Sequence, residues 1–272
     1  MCSKFKSVFV LATASAVMLG GLGIASAATI GVLGVGVIWT QLVPMLPGVR
    51  GQNTHAVSWG TPYDGTQGGN PNGRQSGYSF VGAAAGEIKK DTDFDLGTFT
   101  HNNFVINAGT SITSARLGVA ISLVIGGTTQ VVHSAFNFLH DETLNYPIGG
   151  GACANGSANG AGVNLAGCAD SVQIEGNRNS DQTFVIDGFE YILKITGFTV
   201  AGQLFSEFWT TEGQANSAVL RAHFTLVRPI NSSPGPGSGP EPIPSPVPLP
   251  AAGWLMLAGL GALAAARTRE KT

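Results

Sequence analysis

Three aspartates at alternate positions form the clearest group of candidate metal ligands in this sequence. Asp91, Asp93 and Asp95 carry carboxylates of the kind that bind Ca²⁺. The segment departs from an EF-hand loop, because Gly97 stands at its seventh position and Asn102 stands where the bidentate glutamate belongs. Two interpretations stay open, a calcium site and a solvated acidic loop, and no other cofactor is expected.

The tetrapeptide Thr100-His101-Asn102-Asn103 is the second candidate, and it follows the apolar residues Phe94, Leu96 and Phe99. Side chains of these types hydrogen-bond to turn backbone, so we expect the tetrapeptide to order a loop after a strand. Both a structural and a functional role for His101 are open.

The remaining histidines do not predict a shared metal site. His133 and His140 stand seven residues apart, a spacing that places them on opposite faces of a continuous strand. His55 and His223 belong to other segments.

Two pairs of acidic residues have the residue types of a glycoside hydrolase, Asp141 with Glu142 and Asp187 with Glu190. Sequence spacing does not give the distance between two carboxylates, and acidic residues are common in turns. Residues 156–160 do not fit the G-x-S-x-G nucleophile elbow. We therefore predict that the protein is not an enzyme.

The elements that position these residues are predicted to be strands. In residues 28–228, apolar residues alternate with polar or small ones, and Gly, Asn, Asp and Ser separate the segments. The pattern predicts an all-β fold, an antiparallel two-sheet β-sandwich of the jelly-roll type. Residues 30–38, rich in β-branched residues, predict a buried first strand. The other inward rows are Leu117, Val119, Ile121, Leu123 and Ile125; Val132, Phe136 and Phe138; Tyr191, Leu193 and Ile195; and Leu220, Ala222, Phe224 and Leu226.

Composition excludes several classes of protein. Only 11% of the residues are charged, which excludes a charged coiled coil or an acidic disordered chain. Residues 28–250 hold nine Lys and Arg against fifteen Asp and Glu, a net charge of −6. An acidic surface does not attract nucleic acid, so no nucleic-acid partner is expected.

Residues 1–27 have the three parts of a secretory signal peptide. Lys4 and Lys6 form the positive start, an apolar run follows, and Ala25-Ser26-Ala27 is a cleavage site for signal peptidase. We therefore expect a signal helix that is removed, and a mature protein that is exported.

The C-terminal end has three parts in order. Residues 229–246 are rich in proline, glycine and serine, which predicts an extended linker. Val247-Pro248-Leu249-Pro250-Ala251 follows, and the apolar residues 252–266 then predict a short transmembrane helix. Two arginines and a lysine in residues 267–271 mark the cytoplasmic side.

Cys153 and Cys168 flank a loop rich in Gly, Asn and Ala. In an exported protein such a pair is expected to form a disulfide, worth about 3 kcal/mol for a loop of this length in the chain-entropy account. A metal site is not expected here, because the neighbouring residues offer no two further ligands.

The order of motif, apolar helix and basic end, in a chain that begins with a signal peptide, resembles the PEP-CTERM sorting tail of Gram-negative bacteria in its VPLPA variant. The resemblance covers residues 247–272. It implies that the protein is held in the inner membrane until exosortase, a membrane protease, cuts near the motif and transfers it to the cell surface or extracellular matrix. Two alternatives are a sortase signal, in which Ala252 replaces the required threonine, and a plain membrane anchor.

Thr100, His101 and Asn103 match T-H-x-N, the motif of the THxN group of PEP-CTERM proteins. The upstream residues 59–62 and 76–80 are also similar to that group. The resemblance covers most of residues 28–228 and implies no particular activity.

These observations predict an exported, exosortase-sorted surface or matrix protein with a structural or adhesive role in exopolysaccharide or biofilm. Its expected partners are signal peptidase, exosortase and an exopolysaccharide. An alternative is a carbohydrate-binding module, with or without calcium, in which exposed aromatic rings stack on sugars; a hydrolase of matrix glycans is the third hypothesis. The candidate stacking residues are Trp59, Tyr63, Tyr78 and Trp209.

Overall fold

A computed structural model of the chain describes residues 29–63, 70, 72–175 and 183–230. The predicted signal peptide, the sorting motif, the apolar stretch after it and most of the linker lie outside these residues. Within the described part of the chain, no helix has the length and apolar character that a membrane span requires.

The described residues form thirteen strands and two single-turn 3₁₀ helices, Ile148–Gly150 and Gly162–Asn164. In chain order the strands are β1 (Thr29–Val43), β2 (Ala56–Trp59), β3 (Ser76–Gly82), β4 (Gly86–Lys89), β5 (Phe94–Asn103), β6 (Ser114–Ile125), β7 (Thr128–Asp141), β8 (Asp170–Glu175), β9 (Phe184–Ile186), β10 (Phe189–Val200), β11 (Gln203–Phe205), β12 (Glu207–Thr210) and β13 (Gln214–Pro229).

These strands pair into two antiparallel sheets. The first sheet has the order β12-β8-β7-β6-β1-β4. The second has the order β11-β10-β13-β5-β3-β2, and β9 pairs with β10. The prediction of an all-β fold with two antiparallel sheets is confirmed.

The two sheets share one hydrophobic core, to which alternate residues of each strand contribute. The inward rows predicted for β6 and β7 are confirmed, since Leu117, Leu123 and Phe138 are fully buried. Phe99 of β5 stacks on Phe138 of β7, with ring centroids 5.5 Å apart and ring planes within 4°. Burial of each such side chain stabilises the fold by about 1.5–3 kcal/mol, so these rows hold the two sheets together.

Two predicted rows are less buried than expected. β1 is a strand, but Leu33 and Ile38 are 55% and 42% exposed, because β1 turns only one face to the core. Leu226 is 49% exposed although it continues the inward row of β13. The pairing of β13 with β5 ends at Ala222, so Leu226 lies beyond that part of the sheet.

The loop between β7 and β8 is ordered by a disulfide and a buried asparagine. Cys153 and Cys168 are bonded, as predicted, with Cα atoms 5.3 Å apart. Asn164 is fully buried, and its Oδ1 accepts a hydrogen bond from the backbone N–H of Ala169 at 2.9 Å. Both contacts hold the chain just before Asp170, the first residue of β8. They therefore fix the point at which β8 begins.

Candidate functional site

A group of polar side chains lies buried between the two sheets, next to the apolar core. β7 ends at Asp141, which pairs with Ser171 of β8, and Asp170 pairs with Thr210 at the end of β12. Three strand ends of the first sheet therefore meet at one place, opposite β3 and β5 of the second sheet. The group, here called the polar cluster, comprises Ser76, Tyr78, His101, Asn103, His140, Glu142, Asp170, Thr210 and Glu212, and all except Glu142 are at most 5% exposed.

A β-bulge in β5 decides which residues of the tetrapeptide face the cluster. Gly97 of β5 pairs with Leu220 of β13, and the adjacent pair along the two strands joins Asp95 to Arg221. Leu96 therefore has no partner residue on β13, which defines the bulge. Without the bulge, the alternation that buries Leu96 would also turn Thr100 inward. With the bulge, His101 lies in the inward row instead.

The bulge requires a glycine at position 97. Gly97 has a φ of 157°, and a Cβ there would collide with the backbone oxygen of Val81 and the ring of Phe80. The glycine therefore lets β5 approach β3 closely while the strand changes the phase of its alternation.

The T-H-x-N spacing is the two-residue period of a strand. His101 and Asn103 are fully buried, while Thr100 and Asn102 lie on the other face. The Oγ1 atom of Thr100 is 2.8 Å from Oγ of Ser217 on β13. The expectation that the tetrapeptide orders a loop after a strand is wrong, because all four residues belong to β5.

His101 links the two sheets through both ring nitrogens. Its Nδ1 lies 2.8 Å from Oγ1 of Thr210, and its Nε2 lies 3.2 Å from Oγ of Ser76. Ser76 can donate to the backbone oxygen of Asn102 at 3.1 Å, and Thr210 can donate to the backbone oxygen of Asp170 at 3.2 Å. A neutral imidazole has one N–H, so one of the two hydroxyls accepts from the ring and the other donates to the remaining ring nitrogen. Burial, followed by the neighbouring His140, lowers the pKa of His101 well below its usual value. The ring is therefore neutral, and both of its nitrogens are occupied.

Asn103 makes a second link to the same strand end. Its Nδ2 donates to the backbone oxygen of Thr210 at 3.0 Å, while its Oδ1 has no hydrogen-bond partner among the described residues. The two buried motif residues, His101 and Asn103, thus hold the end of β12 just before Glu212.

His140 forms a third link between the sheets. Its Nδ1 lies 2.7 Å from the hydroxyl of Tyr78 on β3, and its Nε2 lies 3.3 Å from Oε2 of Glu142. Burial raises the pKa of Tyr78 well above its usual value, so the hydroxyl keeps its proton and donates it to Nδ1. Nε2–H then donates to Glu142, whose Oε2 also accepts from Oγ of Ser111 at 3.0 Å. Two donors therefore orient this carboxylate.

Asp170 and Glu212 are buried carboxyl groups with unpaired oxygens. Oδ1 of Asp170 accepts from the backbone N–H of Thr143 at 2.7 Å. Its Oδ2, and both carboxyl oxygens of Glu212, have no hydrogen-bond partner of normal geometry within the described residues. Burial, followed by the nearby Glu142 carboxylate, raises the pKa of Glu212 to about 8. Burial and the same neighbour raise the pKa of Asp170 well above its usual range.

One side of the polar cluster is open to the surface. A cavity of about 410 Å³ lies beside the cluster, and the side chain of Glu142 is 21% exposed. His140, Glu142, Thr143 and Asn145 are among the residues that line this cavity. A small ligand can therefore approach the carboxylate of Glu142 from this side.

The predicted calcium ligands lie elsewhere. Asp91 is in the turn between β4 and β5, and Asp93 and Asp95 contact side chains of the second sheet. Asp95 forms an ion pair with Arg221 of β13. Oδ1 of Asp93 lies 3.1 Å from Nδ1 of His223, and its Oδ2 accepts from Oγ1 of Thr196 at 3.2 Å. These contacts bind the carboxylates of Asp93 and Asp95 to β10 and β13, and they give no further support to a calcium site at Asp91, Asp93 and Asp95.

The two predicted acid pairs have different surroundings. Glu190 accepts from Nε of Arg228 at 2.6 Å, and Asp187 lies 3.9 Å from Nζ of Lys90. Asp141 is exposed, whereas Glu142 is part of the polar cluster. Each acid therefore has its own separate partner or environment, and the contacts do not indicate a shared substrate for either pair.

Two of the four candidate stacking residues are not exposed. Trp59 and Tyr78 are fully buried, so the expectation that they stack on a sugar is wrong. Their rings pack at 79° with centroids 4.7 Å apart, and Tyr78 belongs to the polar cluster. Tyr63 and Trp209 are partly exposed and remain available for such a contact.

His140, Asp170 and Glu212 were not predicted as members of one site. The prediction that His133 and His140 lie on opposite faces of a strand is confirmed, because His140 is buried and His133 is exposed. A signal for His140 was present, since it continues the inward row of Phe138 and a buried histidine needs polar partners. Asp170 and Glu212 carried no such signal, because each is a single acid beside a loop.

Comparison with known proteins adds no role for the polar cluster. No protein-family model matches the chain, and no curated protein matches it. The chemistry of the cluster therefore follows from its contacts: it links the two sheets, and it can hold a proton or a cation between Asp170, Glu212 and Glu142.

Proposed function

We propose that the protein is exported, sorted by an exosortase, and acts as a structural or adhesive component of the cell surface or extracellular matrix, in association with exopolysaccharide. The single observation that carries this proposal is the order of the segments. A body with a disulfide ends at β13, a proline-rich segment follows, and the VPLPA motif, an apolar stretch and a basic end complete the chain. The disulfide supports export, because such bonds persist in oxidising compartments.

The proposed role does not involve catalysis. The titratable groups of the polar cluster, apart from Glu142, are enclosed between the sheets, and His101 uses both ring nitrogens to join strands. These contacts hold the two sheets in a fixed arrangement, which suits a structural role in the matrix. We also propose that the two sheets form a jelly roll.

Carbohydrate binding is a second candidate, and one surface feature favours it. A cavity of about 480 Å³ lies beside β2 and β3, and polar side chains that can donate hydrogen bonds to sugar hydroxyls line it. The guanidinium carbon of Arg74 lies 4.9 Å above the ring of Phe104 in the same cavity. The other polar lining residues include Arg50, Ser58, Gln75 and Asn102.

The sorting proposal is tested by the mass of the exported protein. The full chain is expressed in a Gram-negative host that has an exosortase, and material from outside the cell is analysed by intact-mass spectrometry. We expect a mass that lacks Trp254 and the residues after it. A double variant, Pro248→Ala with Pro250→Ala, is expected to keep the tail and stay in the membrane fraction.

A matched pair of substitutions in the linker, Pro242→Ala with Pro244→Ala, serves as the control and is expected to be processed like the wild type. External wild-type protein that still carries Trp254 would overturn the sorting proposal. For the second candidate, retention on an exopolysaccharide column is measured for the wild type and for Arg74→Ala; equal retention of the two would remove the cavity as a binding site.

A further inference from the structure

We propose that Glu142, Asp170 and Glu212 bind a divalent cation of the oxygen-preferring class, and that the ion is Ca²⁺. Carboxylate oxygens of the three residues all lie within 4.8 Å of one another, although they come from three separate strand ends. One ion at 2.3–2.6 Å from each oxygen, about the usual distance for calcium, fits between atoms at this separation.

The unpaired oxygens point to a missing partner. Asp170 and Glu212 are 0% and 3% exposed, and three of their four carboxyl oxygens have no hydrogen-bond partner of normal geometry in the described part of the chain. The two carboxyl groups interact with each other, and Glu212 also interacts with the Asn103 side chain and the backbone N–H of Gly213, so neither carboxyl group has a cationic partner of its own among the described residues. Buried oxygens of this kind cost free energy unless a donor or a cation satisfies them. The unpaired atoms belong to the same two residues that converge on Glu142.

The charge of the group also calls for a cation. Three carboxylates lie together, and the ion pairs of the described residues include no Lys or Arg at Asp170 or Glu212. Carboxylates in such a place repel one another unless a proton or a metal ion lies between them. A divalent cation would neutralise two of the three charges.

The ligand types favour calcium over zinc. Zinc prefers imidazole or thiolate ligands, and His101 and His140 have both ring nitrogens in hydrogen bonds already. The side chain of Asn145 offers a neutral oxygen next to Glu212. Both side chains flank Gly167: the position that a Cβ on Gly167 would occupy lies 3.2 Å from Oδ1 of Asn145 and 3.4 Å from Cγ of Glu212. Oδ1 of Asn145 is also unpaired within the described residues, and amide oxygens are common calcium ligands.

The surroundings orient the ligands and admit the ion. His140 and Ser111 donate to one oxygen of Glu142, and the N–H of Thr143 donates to Asp170, in the manner of partners that hold metal ligands in place. The cavity of about 410 Å³ beside Glu142 gives solvent access to this side of the site.

The test is a metal titration of the full chain, purified in mild detergent and stripped with EDTA. Isothermal titration calorimetry with CaCl₂ is expected to give one ion per chain in the wild type. Glu212→Gln keeps the shape of the side chain and removes its charge, and it is expected to weaken binding at least about ten-fold. Asp141→Asn, an exposed neighbour of Glu142, and Asp93→Asn, outside the polar cluster, are expected to bind like the wild type.

Several results would overturn the proposal. If the wild type is folded, as checked by circular dichroism, and does not bind calcium, then a proton shared among Glu142, Asp170 and Glu212 takes the place of the ion. Loss of binding in Asp93→Asn, with full binding in Glu212→Gln, would move the ion to Asp93 and its neighbouring aspartates. Binding of ZnCl₂ but not CaCl₂, with loss in His140→Gln, would assign the ion to the histidines.

Discussion

Glu212 is expected to make the stability of the metal-free protein depend on pH, and Glu212→Gln is expected to remove that dependence. Burial raises the pKa of Glu212 to about 8 from an ordinary value of 4.5. Between these two pH values the folded protein holds a proton that the unfolded chain has released. The free energy of unfolding therefore falls as pH rises, by about 1.4 kcal/mol per pH unit for one proton.

The whole interval corresponds to about 5 kcal/mol, and the raised pKa of Asp170 acts in the same direction. His101 acts in the opposite direction, but only below its unfolded pKa of 6.5, where the unfolded chain gains a proton that the buried ring does not. The window from pH 6.5 to 8 therefore isolates the carboxyl groups. Glutamine cannot ionise, so Glu212→Gln is expected to be flatter than the wild type across this window.

The assay is urea unfolding of the full chain in EDTA at several pH values from 5 to 8.5. Glu207→Gln, on the same strand β12 and outside the polar cluster, is the matched control and is expected to keep the wild-type slope. If Glu212→Gln and the wild type lose stability equally between pH 6.5 and 8, the assignment of the proton to this carboxyl group is refuted.

Three further substitutions test the way the fold builds the cluster. His101→Ala removes both links from β5 to Thr210 and Ser76 and leaves a buried void, so a loss of about 2–4 kcal/mol is expected in urea unfolding. Replacement of Cys153 and Cys168 by serine is expected to cost about 3 kcal/mol, measured by thermal unfolding. Gly97→Ala is expected to lower stability by more than about 2 kcal/mol, because its Cβ meets backbone and ring atoms of β3.

Controls for these substitutions lie on the same chain. His55→Ala changes an exposed histidine and is expected to stay within about 0.5 kcal/mol of the wild type. Gly34→Ala places a Cβ where nothing lies within 4 Å, so it tests the loss of glycine without a collision. Equal effects of Gly97→Ala and Gly34→Ala would contradict the close approach of β5 and β3, and a neutral His101→Ala would contradict the linking role.

The strands could be predicted from the sequence because alternation is a local property. The row from Leu117 to Leu123 shows its period without knowledge of any partner strand, and β6 follows it. The disulfide could be predicted because no choice of partner had to be made: Cys153 and Cys168 are the only two cysteines of the described chain.

The polar cluster could not be predicted in the same way, because its contacts join distant parts of the chain. His101 and Thr210 are 109 residues apart, and Tyr78 and His140 are 62 apart. The sequence also does not reveal which residues at the end of β5 face the core. Phe94 and Leu96 predict that even-numbered residues point inward. After the bulge at Gly97 the odd-numbered residues, among them His101, are buried instead.

The hydrogen bonds from β5 to β12 have a consequence for how the chain finds its correct partner alignment. A slip of β5 by one residue would turn Thr100 and Asn102 inward and expose His101 and Asn103. The contacts to Thr210 and Ser76 would be lost, since the imidazole of His101 reaches both hydroxyls through two ring nitrogens and neither Thr100 nor Asn102 has such a ring. A chain with β5 in the wrong register would therefore be less stable than the native one, so these contacts select the native register of β5.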